Sequence, residues 1–276
     1  MPASRAGPDA MPRPWQPSPG IKLSLAVHGA AGVAALAAPA TWPWALAAVA
    51  INQVLISGAG MLPRSTLLGP NLNRLPPPAA ARGEIALTID DGPDPEVTPR
   101  VLDLLDAAGA RASFFCIGRE ARRHPVLCRE IVARGHRVEN HGDSHSWGFA
   151  TFGMRRMRAD IAAAQATLSE IGGQAPRFFR PTAGLRNPLL DPVLAGLDLR
   201  LASWTRRPFD TREGNPETVL RRLTGELAAG DILLLHDGHA ARTPSGEPVI
   251  LAVLPRLLAA IRERHLNPVT LHDATP

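Results

Sequence analysis

The 276-residue chain is 45% hydrophobic and 20% charged, which excludes a disordered polymer and suits one large domain with an added segment. Its formal charge of +5 does not make a nucleic-acid surface: Lys22 is the only lysine, tyrosine is absent, and the arginines are scattered rather than striped. Cys116 and Cys128 fall in an apolar run and a helical stretch, so they read as buried thiols and exclude a disulfide framework.

In chain order, residues 1–20 are rich in Pro, Ala and Ser and read as a disordered tail. Residues 21–63 carry two apolar stretches, Leu23–Ala40 and Trp42–Leu62, each close to the ~20 residues a bilayer-spanning helix needs. Trp42 and Trp44 stand at the joint, where interfacial tryptophans belong. The expectation is a membrane hairpin; a single anchor or cleaved signal, and a pair of buried helices, are the alternatives. Arg5, Arg13 and Lys22 precede it and Arg64, Arg74 and Arg82 follow, so the positive-inside rule favours cytoplasmic flanks. Association with a bacterial cytoplasmic membrane is expected, and the side occupied by the domain is left open. Residues 64–82, rich in Pro and Ala, read as a linker.

From Gly83 to His272 short β-rich runs alternate with helical patterns. The spacing predicts strands over 85–90, 112–117, 136–140, 177–180, 199–204, 231–236 and 267–271. Between them "NPET" offers Asn215 as a helix N-cap with Pro at the first turn. Strand–helix alternation means a parallel α/β sheet, and seven units suit an incomplete barrel better than a flat sheet. Polar residues collect where strands end: "IDDGP", "NHGDSH", "RPTAG", "SWTRRPFD" and "LLHDGH". In parallel α/β folds those ends form the functional face.

His141 and His145 stand four apart, a spacing that on a helical turn brings both imidazoles to one side. With one carboxylate from the first strand they make a catalytic ligand set that leaves positions open. Asp90 and Asp91 are adjacent, so one can bind metal while the other takes the proton of an attacking water. Arg180 follows two phenylalanines and should be half-buried, where it needs a carboxylate. Trp147 and Trp204 either stack on a sugar or fill space, and Asp237 and His239 read as turn caps.

Five such motifs in this order, over about residues 83–272, resemble the polysaccharide deacetylase family, whose domain is the nodulation-deacetylase-like carbohydrate esterase family 4 unit. The resemblance implies a distorted (β/α)7 barrel, here preceded by the two hydrophobic helices, and one divalent metal, Zn first with Co, Ni or Mn nearly as suitable. It implies Asp90 as general base, with Asp91, His141 and His145 as metal ligands. It further implies His236 as general acid, Arg180 orienting Asp90, and Asp210 pairing with His236. Leu234 would line the acyl pocket, the Ala183 N–H would face the oxyanion, and Trp204 would contact substrate. Two departures stand out: Gly142 replaces the usual Ser or Thr after the first His, so that one supporting hydrogen bond is missing or comes from Ser144, and Thr182 and Ala183 replace Pro and Tyr. The implied reaction is removal of an N-acetyl or other N-acyl group from an amino-sugar polysaccharide or oligosaccharide. Rival readings are a deacylase or deformylase of a lipid-linked amino sugar, and a non-catalytic glycan-binding module. No protein partner and no nucleic acid are expected.

Overall fold

The structure is a computed structural model describing residues 14–276. Residues 1–13 of the expected tail lie outside the described residues; by Ser18 the chain already caps a helix, its side chain accepting from Ile21 N.

Helices α1 (Pro19–Ala37) and α2 (Trp42–Gly60) form an antiparallel pair joined by a tight 3-10 turn. At 19 residues each they are about 28 Å long, close to the hydrocarbon thickness of a bilayer. Their apolar side chains point outward rather than into a core: Leu36 is 86%, Trp44 79% and Val54 71% exposed. Between the helices, Asn52 donates to Ser24 Oγ at 2.8 Å and Gln53 Nε2 meets His28 Nε2 at 3.0 Å. These two polar contacts link the helices across the pair.

The remainder runs α3 (Pro77–Ala81), β1 (Glu84–Asp90), α4 (Thr98–Ala107), β2 (Ala112–Cys116), α5 (Gly118–Arg123), α6 (Pro125–Ala133), β3 (Arg137–Asn140) and α7 (Met154–Gly172). It continues with β4 (Phe178–Phe179), α8 (Leu190–Ala195), β5 (Arg200–Leu201), α9 (Pro216–Thr224), β6 (Ile232–His236), α10 (Val249–Glu263), β7 (Asn267–Val269) and α11 (Leu271–Ala274). Asn215 caps α9 as the sequence suggests, accepting from Thr218 N. The seven strands form one parallel sheet in the order β5-β4-β3-β2-β1-β6, with β7 pairing β1.

Period-two alternation sorts each strand between two layers. Ile85, Leu87, Ile89, Phe114, Leu233 and Leu235 face the helices. Ala86, Phe115, Phe178, Ala202, Ile232 and Leu234 face the barrel interior. Each fully buried Leu, Ile or Phe contributes roughly 1.5–3 kcal/mol. Although β5 is only two residues long, Arg206 bridges Leu233 beyond it, Thr205 N donates to Ile232 O, and Leu234 N donates to Arg206 O. These few bonds close the curl between β5 and β6, which makes the barrel distorted.

Residues 64–82 read as a linker but are laid down on the barrel. Leu72 pairs with Ala202, Leu75 N donates to Gly230 O, and Leu68, Leu75 and Ala79 are buried. The foot of the hairpin is equally tied. Arg186 N donates to Gly60 O at 3.0 Å, and a Cβ at Gly60 would lie 2.1 Å from the Arg186 carbonyl, so only glycine allows this approach.

Candidate active site

Parity explains the two adjacent aspartates. Asp90, the last residue of β1, shares the inward face of Ala86 and Thr88 and is 2% exposed. Arg180, itself 1% exposed, donates to Asp90 Oδ1 at 2.5 Å and to Thr88 Oγ1 at 3.0 Å. Its remaining donors reach the Ala202 and Ser203 carbonyls. All three guanidinium nitrogens are thus hydrogen-bonded, as a buried charge requires.

Asp91 lies past the strand with φ 78°, a left-handed turn that swings its carboxylate to the rim. There Oδ1 lies 3.1 Å from His141 Nε2 and 3.0 Å from His145 Nε2. Burial alone would raise the Asp91 carboxyl, but hydrogen bonds from His141, His145 and His239 outweigh it and hold it well below the usual range.

The two rings converge by a different route from the helical turn that their spacing suggests. Residues 141–145 are a loop, with His145 at φ 46° and ring centroids 4.9 Å apart. Asn140 Oδ1 accepts from Gly142 N, while the Asp160 carboxylate from α7 accepts from Asp143 N and Ser144 N. Gly142 has φ 76°, and a Cβ there would lie 2.8 Å from Asp160 Oδ2. This corrects the expectation for Ser144: its hydroxyl is buried without a partner, and Asp160 supports the loop instead.

His236 closes β6 and is fixed by Asp210, which accepts from its backbone N at 2.9 Å and meets its Nδ1 at 2.8 Å. Burial lowers the imidazole pKa, but the Asp210 charge and hydrogen bond prevail and raise it to about 9. His236 therefore carries its proton at neutral pH. Asp237 clamps the turn below, accepting from Thr98 Oγ1 and Gly238 N.

These groups line one cleft of about 220 Å³. Ala183, Leu234 and Trp204 form its walls, with Trp147, 76% exposed, at the mouth. Ala183 has φ 56° within the turn after β4. Behind that turn, a Cβ at Gly184 would meet Trp204 Cη2 and Pro63 Cβ within 2.8 Å, so the residue just past the hairpin backs the cleft wall.

Sequence reasoning missed three residues of this cleft. His239, which reads as a turn cap, lies with Nδ1 3.3 Å from Asp91 Oδ2 and stacks on His145 at 5.7 Å. Its φ of 55° turns it onto the site, a change that residue type does not signal. Arg207 and Arg212 also line the cleft, and only closure of the barrel brings them there.

The donor set fits a divalent cation: one carboxylate and two imidazole Nε2 atoms converge, and His141 Nδ1 is hydrogen-bonded to the Arg180 carbonyl at 2.7 Å. That bond fixes the proton on Nδ1 and leaves Nε2 free to ligate. Asp91, His145 and His239 form a second, overlapping set whose ligand atoms lie within 4.8 Å of one another.

Comparison with known proteins agrees with this geometry. The polysaccharide deacetylase family model matches residues 79–202. A peptidoglycan-N-acetylglucosamine deacetylase of Bacillus cereus is 32% identical over 191 residues, covering 68% of this chain and 86% of its own. A chitooligosaccharide deacetylase of Sinorhizobium fredii is 30% identical over 199 residues, covering 70% and 92%. A solved peptidoglycan N-acetylglucosamine deacetylase superposes with TM-score 0.67 at 26% identity, covering 74% of this chain and 92% of that one. The chain belongs to the polysaccharide deacetylase family.

Proposed function

We propose that this chain is a metal-dependent hydrolase that removes N-acetyl groups from an amino-sugar polysaccharide or oligosaccharide. The observation that carries the reading is a pair of opposed, separately tuned proton-transfer groups flanking one ligand cluster. Asp90 is held by Arg180 and His236 by Asp210, with Asp91, His141 and His145 between them. A glycan-binding module has no use for a base and an acid arranged in this way.

Asp91, His141 and His145 would hold the cation, with His239 close enough to add a fourth donor. Zinc suits this mixed nitrogen and oxygen set first, with Co, Ni or Mn as alternatives. When bound, such an ion polarises an acyl carbonyl and acidifies water. Asp90, oriented by Arg180, accepts a proton from the attacking water. The water oxygen bonds to the carbonyl carbon, and the Ala183 N–H faces the developing oxyanion. As the C–N bond breaks, His236 delivers its proton to the departing amine, which leaves as the free amino sugar beside acetate. Leu234 and Trp204 enclose the methyl group. The cleft is smaller than the ~300–1,000 Å³ of sites that engulf a ligand, so it takes the reacting unit and leaves the rest of the glycan outside.

The exposed apolar hairpin supports membrane association, and residues 83–272 would form the catalytic unit standing on it. A second reading, deacylation or deformylation of a lipid-linked amino sugar, is favoured by Pro63 backing the cleft wall. Acetate and formate release should be measured from polymeric and lipid-linked substrates, with metal supplied and with chelator. Acetate from the polymer, abolished by chelator, supports the primary reading, and formate from the lipid-linked sugar supports the second. Release of neither acid by the metal-loaded protein while glycan still binds would refute catalysis.

A further inference from the structure

The cleft holds more positive charge than its chemistry uses. Arg180 is matched by Asp90, and Asp210 by protonated His236. Asp91 serves the ligand cluster. Arg207 and Arg212 remain on the wall, and neither makes an ion pair among the described residues, although Arg206 next door is bound to Asp231.

Arg207 is half-buried, and its Nε atom is fully buried with no hydrogen-bond partner. Its guanidinium carbon lies over two aromatic rings, 5.2 Å from the Trp204 centroid and 5.0 Å from that of Phe209. Phe209 keeps φ 61° in that position. Burial works most strongly against the Arg207 charge; the nearby Asp90 and Asp210 carboxylates favour it, and Arg212 opposes it. Asp90 and Asp210 are already engaged by Arg180 and His236, so the Arg207 donors, with Nε buried and unbonded, are left for an anion from outside the chain.

We infer that Arg207, assisted by Arg212, recognises an anionic substituent, a carboxylate or a phosphate ester, on the amino sugar whose N-acyl group enters the cleft. This rests on the deacetylase reading and narrows its substrate class. A guanidinium offers its paired N–H donors as a fork, the geometry that suits either anion.

The test compares kcat/KM for chitotetraose (neutral), an N-acetylmuramic acid oligomer (carboxylate) and N-acetylglucosamine-1-phosphate, using the full-length metal-loaded protein. The wild type should prefer one of the anionic probes, and which one identifies the source of the charge. Arg207→Gln should lower the anionic-to-neutral ratio by about tenfold or more, the scale of a lost charge-assisted hydrogen bond, and Arg207→Lys should restore part of it. A ratio unchanged in Arg207→Gln overturns the inference. So does a rise in KM that is equal for neutral and anionic probes in both variants, since that marks a merely structural arginine. Calorimetric titration with inorganic pyrophosphate separates this result from failure of the deacetylase reading. Binding that Arg207→Gln weakens, with no acetate from any probe, would uphold the anion site and sink the activity. Acetate release without pyrophosphate binding or anionic preference would do the reverse.

Discussion

At the rim of the sheet, Asp91, His145, Ala183 and His239 line the cleft with φ between 46° and 78°, a region that costs a residue other than glycine about 1–3 kcal/mol. Among the described residues of α1 and α2, none adopts such a conformation. The rim has unfavourable backbone held by a few heavily used side chains: Arg180, Asp160 and Asp210 each bond several partners from other segments. The hairpin has favourable backbone and unsatisfied surface, with Leu, Val and Trp facing outward. The rim is therefore fixed by long-range contacts within the chain, whereas the hairpin leaves its apolar side chains without partners in the described chain, as the proposed membrane association requires.

Disturbing the rim should have the largest effect. Asp91→Asn removes the carboxylate shared by three imidazoles, and metal analysis should show loss of the bound ion together with activity falling to the chelated background. Next, His236→Ala or Asp90→Asn should lower kcat by about 10²–10⁴-fold, the range of general acid–base catalysis, with metal content retained. Asp210→Asn acts through pH. As the proposed general acid, His236 would work in its protonated form, with a pKa of about 9, so the wild-type rate should fall as pH rises through 9. Without the Asp210 charge, burial is opposed only by the weaker Asp91 and Asp90 charges, and the variant's falling limb should move to lower pH. The same pair stabilises the fold: this contribution is fully present below about pH 6.5 and is lost through about 9, which urea titrations at both ends would measure.

Smaller effects are expected where the two regions meet and in the hairpin itself. Gly60→Val pushes α2 away from the Arg186 carbonyl, and through Pro63 and Gly184 it should loosen the acyl wall. Its kcat/KM should drop by about tenfold with metal affinity unchanged, since 1.4 kcal/mol of lost packing suffices. Equal activity in this variant would show that hairpin and cleft are independent. Last, Asn52→Leu deletes one interhelical hydrogen bond and should cost only about 0.6 kcal/mol of helix association in detergent.

Most of the barrel was legible because each strand is a short apolar run bounded by Gly, Pro or a polar cluster. The residues at strand ends were legible because inward parity and motif order agree, as at Asp90 and His236. Leu68, Leu72 and Leu75 gave no such signal: they are isolated among prolines, and their burial depends on partners such as Ala202, 130 positions away. The support given to the 141–145 loop by Asp160 was hidden for the same reason, and so was the placement of Arg207 over two rings. His239 was misread because a left-handed backbone angle, which the sequence does not announce, decides where its ring points.

On the proposed membrane-hairpin reading, the contact between Gly60 and Arg186 would set the height at which this catalyst works. With the hairpin embedded, the cleft would not wander on a tether but would stay at a constant altitude above the lipid headgroups. Glycans within that thin layer would be processed, and those farther out would first have to be drawn toward the surface. The protein would thus define a zone of modified sugar by its stature as well as by its chemistry.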